Sequence, residues 1–167
     1  MKLYLAPLEG ITNHIYRKAL YECFGGFDKY FIPFIRAKQN LNFSGREKKD
    51  IDPENNQGMY AVPQILTRNA EDFLRTASQL AGLGYREINL NLGCPSKTVV
   101  TKGCGAGFLE RPDELECFLD HIFANTDLKI SIKTRLGMDD AEEFEDLLEI
   151  YNRFPLEELI VHPRVQK

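Results

Sequence analysis

The sequence predicts an α/β fold built on a parallel sheet, and two observations support that prediction. Short apolar runs typical of strands recur six times, at residues 3–6, 30–34, 61–65, 87–91, 129–134 and 158–162. Segments with the three-and-four spacing of an amphipathic helix lie between most of these runs. Strands that alternate with helices pair in parallel, because each helix carries the chain back to the starting end of the next strand.

Three helices can be placed from their apolar faces and their ends. Apolar residues at helical spacing mark three segments, at residues 70–81, 115–123 and 144–151. Asn69 is suited to cap the first helix, and Gly82 and Gly84 to end it. Pro112 is suited to the first position of the second helix.

One connection, from about residue 38 to residue 58, breaks this alternation. It is polar and carries the charged run Arg-Glu-Lys-Lys-Asp at residues 46–50. We interpret it as a long surface loop, which is either a solvated excursion or a segment that faces the substrate.

Residues near the C-terminal ends of the strands favour a barrel over an open doubly wound sheet. An open sheet usually concentrates its ligand-binding residues at one switch point. Here the candidate residues follow five different strands: Pro7, Gln64, Asn91, Cys94, Lys133 and His162. A ring of this kind is typical of the top face of a (β/α)8, or TIM, barrel.

The number of strands falls short of a complete barrel. Such a barrel usually takes eight strands and about 250 residues, whereas this chain has 167 residues. We therefore expect one domain over residues 1–167, an incomplete TIM barrel that lacks two strands and their helices. Its open edges, near the first and sixth strands, would be prone to self-association.

Composition argues against several classes of protein. With 43% hydrophobic residues the chain can bury a core, and no run of about 18 apolar residues predicts a membrane span. The four cysteines lack paired CxxC spacing, which argues against a zinc site or a disulfide scaffold and favours the reducing cytoplasm. A net charge of -4 excludes nucleic-acid binding by bulk positive charge, although a local basic face stays compatible with it.

Cys94 lies in the segment Asn-Leu-Asn-Leu-Gly-Cys-Pro-Ser-Lys at residues 89–97, a stiff turn just past the fourth predicted strand. A free cysteine is usually a small buried hydrophobe, but this polar turn favours a thiol that takes part in chemistry. To act as an acid, the thiol would have to be protonated. A free thiol meets this condition at neutral pH, because its pKa is about 8.5. A nucleophile would need a nearby cation or helix terminus to hold the thiolate. The sequence leaves both roles open.

Basic residues follow the fifth and sixth predicted strands. Lys133 ends an otherwise apolar strand, and because burying an unpaired lysine is costly, we expect an anionic ligand or a carboxylate beside it. Arg135 either joins the same site or pairs with an aspartate four or five residues later. His162 and Arg164 follow the sixth strand, where a lone histidine is often a structural residue.

The glycine-rich segment at residues 103–107 superficially resembles a dinucleotide-binding fingerprint. It follows a polar loop rather than a strand, so the context that such a fingerprint requires is missing. We expect these glycines to let the loop after the fourth strand turn tightly, with Cys104 as a bystander.

Taken in order, these motifs resemble the tRNA-dihydrouridine synthase family of flavoenzymes along essentially the whole chain. Residues 5–12, Leu-Ala-Pro-Leu-Glu-Gly-Ile-Thr, resemble its opening motif, and Gln64 matches the glutamine that ends its third strand. Residues 87–97 and 102–106, around Cys94, are close to its signature and carry the most specific part of the resemblance. The fifth-strand and sixth-strand motifs are matched by Lys133, Arg135 and the tripeptide His-Pro-Arg at residues 162–164.

The resemblance implies an enzyme that binds FMN in the barrel mouth, is reduced by NADPH, and acts on tRNA. Hydride would pass to C6 of a uracil base while Cys94 protonates C5, and the base would have to leave its stack to reach the flavin. The implied cofactor-binding residues are Pro7, Leu8, Glu9, Gln64, Asn91, Lys133 and His162. Arg135 and Arg164 are the implied substrate-binding residues.

In that family the phosphate of the cofactor is held by loops after the last two barrel strands, and a C-terminal helical domain helps to grip tRNA. Residues 1–167 supply neither, so we expect poor FMN binding and little or no activity from this chain alone. Two other functions stay open: a dihydroorotate dehydrogenase-like FMN barrel that acts on a free pyrimidine, and a non-catalytic remnant domain. The Gly-Cys-Pro turn together with the His-Pro-Arg motif favours the tRNA enzyme.

Overall fold

The computed structural model describes residues 1–37 and 42–167. Its strands form one parallel sheet in the order of the sequence: β1 (Tyr4–Leu5), β2 (Lys29–Arg36), β3 (Ala61–Leu66), β4 (Glu87–Leu92), β5 (Lys129–Arg135) and β6 (Glu158–His162). The α-helices are α1 (His14–Cys23), α2 (Gly45–Ile51), α3 (Ala70–Gly82), α4 (Lys97–Val100), α5 (Pro112–Ala124) and α6 (Glu143–Tyr151). Short 3-10 helices span Pro53–Asn56 and Gly105–Phe108.

The strand order confirms the predicted incomplete TIM barrel. Each strand pairs with its neighbours in sequence, as in a barrel, whereas a doubly wound sheet reverses its order at a switch point. The sheet also curls. Its two edge strands, β1 and β6, come close enough for the Tyr4 hydroxyl in β1 to donate a hydrogen bond to the Glu158 carboxylate in β6. All six predicted strands are present, and their ends differ from the predicted ones by no more than two residues.

Alternation along the strands separates a helix-covered face from the barrel interior. In β4 every residue is buried, with Ile88, Leu90 and Leu92 in the hydrophobic core beneath the helices. The intervening residues, Glu87, Asn89 and Asn91, point to the other face, where they meet polar side chains from other strands.

The helix ends agree with the sequence signals. The Asn69 side chain accepts a 2.9 Å hydrogen bond from the Asp72 amide and caps α3, which ends at Gly82. Gly84 follows in the left-handed region, at φ +97°, as expected of a glycine that stops a helix. Pro112 occupies the first turn of α5.

The prediction of a long surface loop is wrong for residues 45–56, while residues 38–41 of that connection lie outside the described residues. Ser44 and Glu47 form a reciprocal capping box at the start of α2, which ends at a buried Ile51. Two helices of one or two turns each are too short to show a helical period, which explains why the sequence pattern did not reveal them.

A buried arginine holds this connection against the rest of the fold. Arg17 of α1 is fully buried, and it donates hydrogen bonds to the Thr12 carbonyl at 2.7 Å and to the Asp50 carbonyl at 2.6 Å. It also donates to the Asn56 side-chain oxygen at 3.0 Å. The arginine therefore ties α1 to both short helices.

A second polar cluster lies inside the curl at the N-terminal ends of the strands, and we call Tyr4, Lys29, Glu87 and Glu158 the basal cluster. The Lys29 ammonium lies 2.8 Å from a carboxylate oxygen of Glu87 and 2.8 Å from one of Glu158. These three residues start β2, β4 and β6, and in barrels alternate strands contribute to one layer of the interior.

None of the helices in the described part of the chain combines the length and the apolar character needed to cross a bilayer.

Candidate active site at the C-terminal ends of the strands

Most of the residues predicted for the site lie at one edge of the sheet. Because the strands are parallel, the C-terminal ends of β3 to β6 share this edge, and they carry Gln64, Asn91, Lys133 and His162. In the pairing register Asn91 is opposite Lys133, and the Asn91 amide donates a 2.7 Å hydrogen bond to the Gln64 oxygen. The structure therefore brings these side chains together around the turn that holds Cys94.

The turn that holds Cys94 has its backbone polar groups satisfied by named partners. The Asn91 side-chain oxygen accepts from the Gly93 amide at 3.2 Å and from the Cys94 amide at 2.9 Å. The Cys94 carbonyl accepts a 3.1 Å hydrogen bond from the Ala106 amide. The turn is therefore fixed from β4 on one side and from the following loop on the other.

The glycine-rich segment packs directly against this turn, and the predicted tight turning is confirmed. Gly103 and Gly105 both have positive φ, at +65° and +56°. A Cβ added at Gly105 would lie 2.9 Å from the Cys94 carbonyl oxygen and 2.8 Å from a Val99 methyl carbon. Any other residue at position 105 would push the Cys94 turn away, a relationship that the sequence pattern did not indicate.

Arg135 holds two loops at the edge of the site. Its Nε donates a 2.7 Å hydrogen bond to the Gly93 carbonyl and one Nη donates a 2.8 Å bond to the Val165 carbonyl. Asp139, one of the aspartates considered as its partner, instead forms an ion pair with Lys167. The guanidinium thus connects the Cys94 turn to the segment after β6.

Lys133 is a partly buried cation that no described carboxylate neutralises. Burial lowers its pKa, and the nearby Arg135 cation lowers the pKa further; only the negative charge of an ionised Cys94 would act in the opposite direction. An ammonium group that has lost water and gained no carboxylate partner favours an anionic ligand. Lys133 is paired in register with Asn91, whose side chain holds the Cys94 amide, so Lys133 and the Cys94 turn lie at the same end of the sheet.

Arg164, just after β6, adds to the positive charge of this edge, whereas His162 favours its neutral form. Burial lowers the pKa of His162, and the cations of Arg135, Lys133 and Arg164 lower it further. Arg164 itself is exposed. Although the net charge of the chain is negative, this edge is a local basic region of the kind that attracts phosphate or another anion.

The loop after β1 contributes mainly backbone. The Leu8 amide donates a 2.8 Å hydrogen bond to the Thr12 hydroxyl, and the amides of Ile11 and Thr12 donate to the Leu8 carbonyl. Pro7 is half-buried and leads into this turn, while Glu9 lines a small cavity of about 190 Å³ beside the end of β2.

Two buried polar residues of the interior, Asn89 and Ser131, were missed as candidates. Both are fully buried, and the Asn89 amide donates a 2.9 Å hydrogen bond to the Ser131 hydroxyl. The period-two alternation Glu-Ile-Asn-Leu-Asn at residues 87–91 was the available signal, since it placed polar side chains on a face opposite the core.

A separate cavity lies away from this edge. It has a volume of about 570 Å³, sits on the outer surface between α3 and α5, and is lined by helix residues such as Glu71, Cys117 and His121. His121 and Glu71 contact each other across it at 2.7 Å. Within residues 1–37 and 42–167 no group of three His, Cys, Asp or Glu residues is arranged to hold a metal ion.

Comparison with known proteins places the chain in a family. A family model described as dihydrouridine synthase (Dus) matches residues 4–167. The chain is 31% identical over 166 residues to a probable tRNA-dihydrouridine synthase of Staphylococcus aureus (strain COL), covering 98% of this chain and 49% of that protein. It is 31% identical over 173 residues to the tRNA-dihydrouridine(16) synthase of Cupriavidus necator, covering 99% of this chain and 53% of that protein. The chain thus spans about half the length of these curated relatives.

Proposed function

Because the chain belongs to the dihydrouridine synthase family, we propose that it forms the cysteine-bearing part of the catalytic barrel of a tRNA-dihydrouridine synthase. The reaction is the reduction of a uridine in tRNA to 5,6-dihydrouridine, with FMN as cofactor and NADPH as reductant. The names of the relatives support the tRNA substrate. The observation that carries the proposal is the fixed Cys94 turn, held by Asn91, with Lys133 opposite Asn91 and without a described carboxylate partner.

The residues at the C-terminal edge fit a flavin. Lys133 offers a positive charge without a described carboxylate partner, and the amides of Gln64 and Asn91 offer hydrogen-bonding groups next to it. This set suits the polar pyrimidine edge of an isoalloxazine ring and the negative charge that reduction places there. His162 and the backbone at Pro7, Leu8 and Glu9 complete the proposed contacts. When bound, reduced FMN supplies the hydride for C6 of the uracil.

Cys94 acts as the proton donor in this proposal. Its Sγ gives a proton to C5 of the uracil, and the thiolate that remains lies at the end of the sheet that carries the Lys133 cation. This assignment chooses the acid over the nucleophile, because the proton for C5 must come from a positioned group and the fixed turn supplies one.

The two arginines have different proposed roles toward tRNA. Arg164 is exposed and suits contact with a phosphate of the substrate. Arg135 uses two of its donors on backbone carbonyls, so its contribution to substrate binding passes through the loops that it holds. Substrate contact by its guanidinium stays a prediction.

A chimera tests the proposal, in which residues 1–167 are joined to the C-terminal half of the Staphylococcus aureus relative. The chimera, purified with FMN and NADPH, should form dihydrouridine in unmodified tRNA, measured by nucleoside mass spectrometry. Cys94→Ala should lower the rate by about 100-fold or more, since a positioned proton donor contributes on that scale. Cys104→Ala is the matched control and should keep the rate.

Flavin content separates a failed chimera from a failed proposal. A chimera that holds flavin and reduces orotate, but leaves tRNA uridine unchanged, would support the free-pyrimidine enzyme instead. One that holds flavin and reduces neither substrate would overturn the catalytic role.

A further inference from the structure

Four buried polar side chains form one continuous hydrogen-bonded chain beneath the Cys94 turn, and we call them the amide relay: Ser131, Asn89, Gln64 and Asn91. Asn89 Nδ2 donates to Ser131 Oγ at 2.9 Å, and Gln64 Nε2 donates to Asn89 Oδ1 at 2.7 Å. Asn91 Nδ2 donates to Gln64 Oε1 at 2.7 Å. The relay therefore crosses β5, β4 and β3 before it returns to β4 at the turn.

The direction of the whole relay follows from the backbone of the turn. The amides of Gly93 and Cys94 can only donate, so the group of Asn91 that meets them must be its oxygen. Asn91 must then turn its nitrogen toward Gln64. The same reasoning, repeated once, obliges Gln64 to donate to Asn89. Each amide has one orientation that satisfies its neighbours on both sides.

Asn89 and Ser131 lie below the ligand-facing edge. They are paired in the register of β4 and β5. Asn89 lies two residues before Asn91 in β4, and Ser131 lies two residues before Lys133 in β5. Two residues of strand correspond to about 6.6 Å. Both side chains are fully buried, so they act on the site through the residues above them.

We propose that Asn89 and Ser131 are positioning residues for Cys94. They hold the Gln64 amide in place in the one orientation that Asn91 requires, and Asn91 holds the two amides of the turn that presents the thiol. The importance of this for catalysis rests on the proposed function, in which Cys94 delivers a proton. The order of the turn itself is a property of residues 1–167 and can be measured without flavin or tRNA.

Hydrogen exchange at the amides of Gly93 and Cys94 gives the direct test. Ser131→Ala removes the acceptor at the far end of the relay, and it should speed exchange at these two amides by about fivefold or more, the scale of one net hydrogen bond. Thr134→Val is the matched control, because it also deletes a buried hydroxyl from β5, but on the side that faces Tyr151. Equal exchange in the two variants would overturn the proposal.

A double-mutant cycle tests whether the effect travels through Gln64. In a Gln64→Leu background the relay is already broken, so adding Ser131→Ala should leave the exchange of the Cys94 amide unchanged. If Ser131→Ala speeds exchange by the same factor in both backgrounds, the influence bypasses Gln64 and the relay is not the route.

Asn89 offers a test that does not depend on Ser131→Ala. Asn89→Asp keeps the acceptor that Gln64 requires and lets Ser131 donate to the other oxygen, so it should retain slow exchange at the turn. Asn89→Leu removes both bonds and should lose it. If the two variants expose the turn equally, the proposal fails. In the flavin-loaded chimera, Ser131→Ala should lower kcat with little change in KM for tRNA, whereas Thr134→Val should leave both unchanged. Absence of dihydrouridine synthesis would refute the proposed function and leave the exchange results standing.

Discussion

The Lys29 ammonium donates a 2.8 Å hydrogen bond to the Glu158 carboxylate, although 129 positions separate the two residues in the sequence. The bond joins β2 to β6 across the interior of the curled sheet. Lys29 also lies 2.8 Å from Glu87, and the Tyr4 hydroxyl donates to Glu158 as well. The basal cluster therefore holds the two open sides of the sheet toward each other at the end opposite the candidate site.

Replacing Lys29 by methionine should strongly destabilise the fold. The substitution leaves Glu87 and Glu158 without their cation inside the barrel, and removing one partner of a buried ion pair costs about 3 kcal/mol or more. Urea unfolding followed by circular dichroism measures the loss. Lys129→Met is the matched control: its ion pair with Glu157 is exposed and should be worth less than about 1 kcal/mol. Similar losses in the two variants would contradict a special role for the basal cluster.

The stability of the chain should fall in acid partly because of Glu158. Burial by itself would raise the pKa of this carboxyl, but hydrogen bonds from Lys29 and Tyr4 outweigh it and lower the pKa below the ordinary value. A lowered folded-state pKa contributes stability above the unfolded pKa of about 4.3, and that contribution is lost as the pH falls through the folded value.

Unfolding free energies between pH 7 and pH 3 test this linkage. Glu158→Gln should be less stable than the unmodified chain at pH 7, and the difference should shrink toward pH 3. Glu149→Gln, at an exposed position of α6, serves as the control. A gap between Glu158→Gln and the unmodified chain that stays constant with pH would contradict the assignment.

Arg17→Lys should be far from conservative. The Arg17 guanidinium reaches the carbonyls of Thr12 and Asp50 and the side chain of Asn56 at once, and one ammonium cannot reproduce that fork. We expect a loss of about 2 kcal/mol or more in unfolding free energy, together with faster hydrogen exchange in α2. Arg46→Lys, at the exposed end of a longer contact with Asp50, should change neither measurement.

Flavin binding by residues 1–167 alone should be weak. The edge that carries Lys133 and His162 fits the ring, but a barrel of this kind places its phosphate site after strands seven and eight, which residues 1–167 do not supply. Fluorescence titration with FMN should show low affinity, reduced further by Lys133→Met and unchanged by Lys129→Met. Stoichiometric flavin on the purified chain would contradict this prediction.

The sequence predicted the strands and much of the candidate site for one reason: both depend on local order along the chain. Apolar runs locate strands, and in a parallel sheet the residue after each run must reach the same edge. The amino-acid pattern alone therefore groups Gln64, Asn91 and Lys133 at one edge, where the strands do place them. The capped start of α3 at Asn69 was equally local.

The sequence could not predict contacts between residues that are far apart along the chain, nor which groups surround a given side chain. Nothing near Lys29 indicates Glu158 as its partner, because their contact exists only once the sheet has curled. Arg17 and Lys133 are both basic residues next to apolar ones. Arg17 donates hydrogen bonds to several oxygen atoms, whereas Lys133 has no described carboxylate partner. Charge and position in the sequence do not separate these outcomes.

The order of the strands carries a consequence for how the chain folds during synthesis. Each strand pairs with the one made just before it, so the sheet can grow at its newest edge as the ribosome releases the chain. The contacts from Lys29 and Tyr4 to Glu158 must wait until β6 has emerged. The contacts that hold the curled sheet therefore form late. If the ribosome pauses before residue 158, the sheet lacks these contacts, and its free edges are the surfaces most prone to incorrect strand pairing.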